Sequence, residues 1–250
     1  MVLDDNFRRW YLFDYGNVIS TAPTPEDWEM LAEATGVGLL HESTSTYWQH
    51  RYAYDAGSLS SAEYWSLVCG ERAGDSRAAW LDVLDGNQWS HPNLDTLDVL
   101  EDLAARGERL ALLSNMPAAM VAQLTHAPWT RFFQYRFFSS SIGLVKPSAA
   151  IFEHVLAELA AAPERVTFVD DAAANIATAR SLGIDARLFD PSSDLSRMLA
   201  TPPIRDLAPA GAAPLAPAGA TPLAAAGATP LAPAGAAPLA EPAVSLIAPE

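Results

Sequence analysis

Short apolar segments alternate with helical segments up to residue 189, and this alternation constrains the fold more than any other feature of the chain. We predict strands at RWYLF (9–13), ERLALLS (108–114), RFFSS (136–140), RVTFVD (165–170) and DARLF (185–189). The segments at 93–106, 148–159 and 172–182 have the pattern of helices lying between strands. Strands separated by helices predict an α/β fold, with a Rossmann-like parallel sheet and helices on both faces.

About 90 residues separate the first two predicted strands, far more than the dozen or so that one crossover requires. This stretch has helical segments near 25–36, 43–55, 60–72 and 75–84, and no convincing strand. We therefore predict that residues 21–91 form an inserted helical cap. The sheet domain would then comprise residues 1–20 and 92–206.

The chain from residue 207 to residue 250 begins with four octads, LAPAGAAP, LAPAGATP, LAAAGATP and LAPAGAAP. Regularly spaced proline and glycine disfavour both a helix and a sheet ladder. We predict a disordered, partly polyproline-like tail. An uncharged spacer and a partner-binding segment both remain open as its role.

The overall charge excludes some classes of partner. Acidic residues outnumber basic ones by 30 to 15, so the net charge is −15 and bulk attraction to nucleic acid or to an anionic membrane is not expected. One cysteine, Cys69, allows neither an internal disulfide nor a cysteine metal cluster. The sequence has no signal-peptide pattern and no membrane-length apolar run, so we expect a cytoplasmic monomer or homodimer that binds a small molecule.

The 15 basic residues include a single lysine, Lys146, and the others are arginines. A chain that uses arginine so consistently suggests the hypothesis that Lys146 has a task arginine cannot perform, such as presenting a compact ammonium group. Chance is the alternative, and the composition alone does not separate the two.

Polar residues suited to phosphate chemistry follow or end several predicted strands. Asp14 follows WYLF, Ser114 follows LALL, Asp170 and Asp171 follow VTFV, and Lys146 lies in the loop GLVKP. Each residue alone is more often a turn or helix-capping residue. Because ligands bind at the carboxyl ends of parallel strands, the set together predicts one site with a carboxylate nucleophile, a hydroxyl donor, a cation and a carboxylate pair for a divalent metal.

Four segments, LFDYGNV, LLSN, GLVKP and FVDDAAANI, resemble in this order the four motifs of the haloacid dehalogenase-like (HAD) superfamily. The resemblance covers about residues 1–20 and 92–190, and the predicted insertion lies where that family carries a helical cap. The form FD-x-GNV, together with DAGSLSSAEYW in the insertion, is most similar to a bacterial branch that includes sugar-1-phosphate phosphatases.

The resemblance implies a phosphatase that uses a covalent aspartyl-phosphate. Asp14 would attack phosphorus, which divides one difficult displacement into two steps. A Mg²⁺ cofactor would be held by a carboxylate oxygen of Asp14, by the backbone carbonyl of Gly16 and by Asp170 and Asp171, because this hard cation prefers oxygen ligands.

The resemblance also assigns the phosphate-binding residues. Ser114 and the backbone amide of Asn115 would hold a phosphate oxygen. Lys146 would lie between the nucleophile and the phosphate and reduce their repulsion, which would account for the single lysine. Asn175, at a position that is often acidic in the family, would orient Lys146 or the water molecules on the metal.

The chain departs from the superfamily two residues after the nucleophile, where many phosphatases of the family carry a second Asp that acts as general acid and base. Here that residue is Gly16. Slow hydrolysis, a replacement acid from the cap and a substrate that needs little acid help all remain open. The segment YWQHRYAYD of the cap offers candidates for binding the organic part of the substrate, with His50 and Arg51 as the leading pair and Tyr54 and Asp55 beside them. Packing within the cap's own core is the alternative for this segment.

Three functions therefore compete. The leading interpretation is a Mg²⁺-dependent phosphatase of a small phosphorylated metabolite, with a sugar phosphate as one candidate. A 2-haloacid dehalogenase would use Asp14 to attack carbon and would need no metal, so the pair Asp170 and Asp171 argues against it. A catalytically weak sensor or scaffold that binds a phosphorylated ligand is the third, because of Gly16.

Overall fold

A computed structural model describes residues 9–200 of the chain and contains one five-stranded sheet. Its strands are β1 (Trp10–Phe13), β2 (Arg109–Ser114), β3 (Tyr135–Phe138), β4 (Val166–Asp170) and β5 (Asp185–Leu188). The order across the sheet is β3-β2-β1-β4-β5, and all neighbouring strands are parallel. The predicted α/β class and parallel sheet are confirmed.

Ten α-helices accompany the sheet in the described part of the chain. They are α1 (Pro25–Thr35), α2 (Thr46–Asp55), α3 (Ser61–Cys69), α4 (Asp75–Gln88), α5 (Leu94–Ala105), α6 (Ala118–Leu124), α7 (Ser139–Ile142), α8 (Ala149–Glu158), α9 (Ala173–Ser181) and α10 (Leu195–Ala200). Helices α6, α7 and α10 were not predicted, because each is a short segment whose apolar pattern spans at most two turns.

One predicted strand is wrong at its end. The segment 136–140 was predicted to be extended throughout, but β3 ends at Phe138 and the next two residues begin α7. The Ser139 side chain is needed elsewhere, because its hydroxyl accepts a hydrogen bond from the Met116 amide and donates one to the Asp55 carbonyl. These contacts override the strand propensity of the local sequence.

The sheet is buried on both faces, as a parallel sheet requires. Successive residues of β2 point to opposite faces, so Leu110 and Leu112 join one apolar cluster while Ala111 and Leu113 join the other. Helices α5 and α10 cover the first face, and α8 and α9 cover the second. This double burial explains why the strands read as continuous apolar runs rather than as alternating patterns.

Helices α1 to α4 form a separate apolar cluster around Tyr47, Tyr54, Tyr64 and Trp65. The chain leaves the sheet after β1 and returns through an isolated bridge between Ser20 and Pro92. Both ends of the insertion therefore lie together, as in an inserted domain. Whether residues 21–91 act as an independent cap remains a prediction.

None of the helices between residues 9 and 200 has the length and apolar character that a membrane crossing needs. Residues 1–8 and 201–250 lie outside the described part of the chain. The predicted disordered tail at 207–250 falls entirely within the latter range, as does the last part of the predicted sheet domain.

Candidate active site

Three polar residues meet where the central strands end. Asp14 directly follows β1, Ser114 ends β2 and Asp170 ends β4, and β1 lies between the other two strands. The Asp14 amide still donates to the Val169 carbonyl at 2.9 Å, so the sheet ladder itself holds the backbone of Asp14 in place. The structure thus brings together residues that are separated by up to 156 positions along the chain (170 − 14).

Lys146 reaches this edge from the loop between α7 and α8, and its side chain is only 1% exposed. Its Nζ atom lies 2.7 Å from Asp14 Oδ1 and 2.7 Å from Asp170 Oδ2. The same ammonium group donates to the Leu113 carbonyl at 3.1 Å. A compact ammonium group with three N–H donors suits these three oxygen acceptors, whereas the planar guanidinium group of an arginine does not. The geometry therefore supports the hypothesis that the lone lysine has a specific task.

The site carries more negative than positive charge. The carboxylates of Asp14, Asp170 and Asp171 lie together, and the ammonium group of Lys146 pairs with the first two. Burial raises the pKa of Asp14 well above its usual value; Lys146 opposes this shift, and Asp170 adds to it. Burial also raises the pKa of Asp171. Burial would lower the pKa of Lys146, but Asp14 and Asp170 outweigh it and raise that pKa.

Two asparagines hold the charged residues in position. Asn115 Oδ1 accepts from the Lys146 amide at 2.8 Å, and Asn115 Nδ2 donates to the Lys146 carbonyl at 2.9 Å. Asn175 Nδ2 donates to both carboxylate oxygens of Asp170, at 2.9 and 3.0 Å. Asn175 thus contacts the residue that pairs with Lys146 and not Lys146 itself, and its predicted role in orienting Lys146 or the metal-bound water stays a prediction.

The cluster suits a divalent cation. Asp14, Asp170 and Asp171 each offer one carboxylate oxygen, and these atoms lie within 4.8 Å of one another. Asn17, in a left-handed conformation (φ 57°), donates to Asp171 Oδ2 at 2.8 Å, and its own Oδ1 is buried without a hydrogen-bond partner. The oxygens of two buried aspartates and one half-buried aspartate, and an amide oxygen without a hydrogen-bond partner, are hard ligands of the kind Mg²⁺ prefers.

Ser114 keeps its hydroxyl group available for a ligand. Its only hydrogen bond within the described residues is a long one, 3.5 Å, to the carbonyl of Asn115. The residue is buried and lines the same pocket as Asp14 and Lys146. It is therefore placed to donate to an anion beside the nucleophile.

A pocket of about 370 Å³ opens over these residues, and its far side is built by the helical insertion. Helix α2 contributes Trp48, Arg51, Tyr52 and Asp55, which recur at the spacing of one helix face. His50 lies on another side of the helix, is half-buried and does not line the pocket. The predicted pair is thus divided, since the structure brings Arg51 to the site but not His50.

The residues of the YWQHRYAYD segment divide between the core of the insertion and the pocket, and substrate binding by this segment stays a prediction. Tyr47 and Tyr54 pack in the apolar cluster of the insertion. Arg51 lines the pocket, but its guanidinium also donates to Asp55 at 2.8 Å and to Asp85 at 2.9 Å. The buried acids Asp55 and Asp85 therefore already pair with this charge.

Several pocket residues were not foreseen from the sequence. They include Tyr15, Asn17, Trp89, Met116 and Met120. The position of Asn17, three residues after the nucleophile, is a signal that could have found it. Trp89 and Met120 carry no such signal, because only the tertiary fold brings them to the pocket.

The sequence of the chain matches a family description that agrees with this geometry. Residues 28–183 match the haloacid dehalogenase-like hydrolases. The chain belongs to this family. The match includes most of the insertion and three of the four motif segments, so the membership expected from the sequence is confirmed, while the specific branch stays a prediction.

One curated relative is similar to this chain over part of its sequence. A ribulose-1,5-bisphosphate 5-phosphatase of Halopiger xanaduensis is 32% identical over 102 residues, which are 40% of this chain and 43% of that protein. This chain spans less than half the length of the curated relatives it matches.

Two solved structures show the common HAD fold. A HAD family enzyme of Bacteroides thetaiotaomicron has a TM-score of 0.65 at 18% identity, covering 78% of this chain and 99% of that one. That enzyme is also known in complex with magnesium and inorganic phosphate. L-2-haloacid dehalogenase from Xanthobacter autotrophicus has a TM-score of 0.57 at 20% identity, covering 77% and 82% of the two chains.

Proposed function

We propose that this HAD hydrolase is a Mg²⁺-dependent phosphatase that acts on a small phosphorylated metabolite through an aspartyl-phosphate. The observation that carries the proposal is the cluster of Asp14, Asp170 and Asp171, in which Asp14 and Asp170 pair with the ammonium group of Lys146. Attack on carbon, as in a 2-haloacid dehalogenase, does not need a carboxylate pair beside the nucleophile. The phosphatase relative in Halopiger xanaduensis supports the same conclusion.

Asp14 is the proposed nucleophile. Its Oδ1 pairs with Lys146 and accepts from the Tyr15 amide at 2.7 Å, which fixes the plane of the carboxylate. The other oxygen would attack phosphorus, and the bond from phosphorus to the ester oxygen would break. Water would then hydrolyse the aspartyl-phosphate, releasing inorganic phosphate and restoring Asp14.

Lys146 and Ser114 would stabilise the phosphoryl group during transfer. Phosphoryl transfer depends mostly on positioning and on neutralising charge. Asp14, Asp170, Asp171 and the Gly16 carbonyl would hold Mg²⁺, which supplies neutralisation of the phosphate oxygens when it is bound. Residues 21–91 would act as the cap of this site and residues 1–20 and 92–206 as its core. A cytoplasmic location and a monomeric or homodimeric state remain predictions from the sequence.

Asp55 is the proposed source of the leaving-group proton, since Gly16 cannot supply one. It lines the pocket from α2, outside the metal cluster. Burial raises the pKa of Asp55 to about 6, although Arg51 opposes the shift. A carboxyl group with such a pKa is suited to general acid catalysis near neutral pH.

Phosphate and halide release with and without Mg²⁺ test the proposal. We expect metal-dependent phosphate release from a panel of phosphomonoesters, and its loss in Asp14→Asn. Asp190→Asn is the matched control, because this exposed aspartate follows β5 of the same sheet but lies outside the pocket. Metal-independent halide release from 2-haloacids would favour the dehalogenase, and no turnover on a broad panel would favour the sensor.

A further inference from the structure

Part of the pocket lining is apolar or aromatic, and this part is called the apolar wall. It comprises Tyr15, Trp48, Trp89, Met116 and Met120, together with the exposed Tyr52. The polar atoms of two of these rings are already used, because Tyr15 Oη donates to the Trp89 carbonyl at 2.7 Å and Trp89 Nε1 donates to Tyr47 Oη at 3.1 Å. These two side chains therefore present carbon surface and not hydrogen-bond donors to a ligand.

The Trp89 ring lies beside Gly16, the position at which many phosphatases of the family carry a second aspartate. A Cβ atom added at Gly16 would lie 3.7 Å from Cζ3 of the Trp89 ring. Trp48 meets Trp89 nearly at a right angle, with 6.3 Å between the ring centroids. Two half-buried indoles in this arrangement offer faces and edges against which a further apolar group can pack.

The pocket offers no spare positive charge for a second anionic group. Among its described lining residues, the cations are Arg51 and Lys146. Lys146 is shared between Asp14 and Asp170, and Arg51 pairs with Asp85 and, when Asp55 is ionised, with Asp55 as well. A bisphosphate or a phosphorylated acid would place its second charge near carboxylates that outnumber the cations.

The apolar wall, the Trp89 ring beside Gly16 and the pairing of both cations with carboxylates carry the inference. We propose that the substrate is a phosphomonoester with a neutral, apolar organic group. The volume of about 370 Å³ is near the small end of ligand pockets, so the group would be about the size of one aromatic ring or a short branched hydrocarbon chain. This inference rests on the proposed phosphatase function and makes sugar phosphates poor substrates, although the sequence resemblance suggested them.

Two esters of primary alcohols separate these substrate classes without a large difference in leaving group. We expect kcat/KM for 2-phenylethyl phosphate to exceed that for glucose 6-phosphate by about 100-fold, a size typical of discrimination by an apolar pocket. Equal or faster hydrolysis of glucose 6-phosphate would overturn the inference while leaving the phosphatase proposal intact.

Substitutions in the apolar wall test whether its residues determine the preference for 2-phenylethyl phosphate over glucose 6-phosphate. Trp48→Ala should lower kcat/KM for 2-phenylethyl phosphate about 10-fold and lower that for glucose 6-phosphate by a smaller factor, so that the preference between the two esters falls. Trp80→Ala is the matched control, since Trp80 lies in the same helical insertion, is 51% exposed and does not line the pocket. Met120→Gln keeps a similar side-chain length and should reduce the same preference. An equal loss for both esters in Trp48→Ala and Met120→Gln would contradict the inference.

Binding measurements distinguish failure of the proposed apolar substrate class from failure of the proposed phosphatase function. Calorimetry with Asp14→Asn and Mg²⁺ compares the affinities for the two esters in a variant that cannot form the aspartyl-phosphate. Tighter binding of 2-phenylethyl phosphate supports the apolar pocket even if the wild type releases phosphate from no ester of the panel, an outcome that rejects the phosphatase alone. Equal affinities, or tighter binding of glucose 6-phosphate, reject the apolar substrate class.

Discussion

Replacing Lys146 by methionine should destabilise the metal-free protein more than most substitutions do. Methionine retains the length of the side chain but removes the ammonium group, which lies 2.7 Å from both Asp14 and Asp170 and is 1% exposed. Removing one partner of a buried ion pair costs about 3–5 kcal/mol, because the remaining charge is left without compensation. With a urea m-value of about 2 kcal/mol/M, the midpoint of unfolding should fall by roughly 1.5–2.5 M.

A double-mutant cycle with Asp14→Asn assigns the effect to this pair. Asp14→Asn removes one of the three carboxylates, so the double variant should lose less than the sum of the two single losses, by about 1–3 kcal/mol. Arg187→Met is the matched control cation. Arg187 is also buried and pairs with Asp185, but it lies on β5, two strands from β1, so its effect should be additive with that of Asp14→Asn.

The pH dependence has a definite sign. Burial raises the pKa of Asp14 and of Asp171. A carboxyl group with a raised pKa in the folded state favours folding below its unfolded pKa and loses this contribution as the pH rises through the folded pKa. Lys146 opposes both shifts, so the loss of unfolding free energy in Lys146→Met should be larger at about pH 8 than at about pH 5. A loss below about 1 kcal/mol at both pH values, or additivity with Asp14→Asn, would refute the reasoning.

Four further changes give separate tests. Lys146→Arg should lower kcat/KM roughly 100-fold, because the planar group misplaces its charge, and activity near that of wild type would contradict this. Ser114→Ala should also lower kcat/KM roughly 100-fold by removing a donor to the phosphoryl oxygen, which steady-state kinetics would detect. Asp55→Asn should slow the hydrolysis of 2-phenylethyl phosphate by about 100-fold or more but affect that of 4-nitrophenyl phosphate little. The advantage of the wild type over this variant should decline above about pH 6, as the Asp55 carboxyl group deprotonates. Equal losses for both esters would argue against a proton donor. Gly16→Ala should change the free energy of unfolding by less than about 1 kcal/mol in thermal melts, because its Cβ meets Trp89 at an ordinary contact distance; a larger loss would mean that position 16 is strained.

The parallel sheet and the residues at its carboxyl edge could be predicted because both depend on local signals. Apolar runs bounded by helices define β1, β2 and β4, and parallel strands necessarily bring their ends to one edge. Asp14, Ser114 and Asp170 therefore lie together with no further information. Strand β3 was predicted too long, because contacts of Ser139 with Met116 and Asp55 outweigh local propensity.

The far side of the pocket could not be predicted, because it depends on how the insertion packs against the sheet. His50 and Arg51 are neighbours in sequence, yet successive residues of a helix point in different directions, so only Arg51 lines the pocket. The same geometry sends Tyr47 into the apolar cluster of the insertion and Trp48 to the wall. The orientation of α2 decides these assignments, and it is a property of the packed molecule.

The sequence by itself determined the α/β class, the HAD membership and the set of charged residues at the strand ends, because these follow from periodicity and from four short motifs. Only the tertiary structure decided that Lys146 contacts Asp14 and Asp170 together, that Asn175 positions Asp170, and that Trp89 covers Gly16. These contacts join segments far apart in the chain. Their distances depend on packing between elements, which no local pattern specifies.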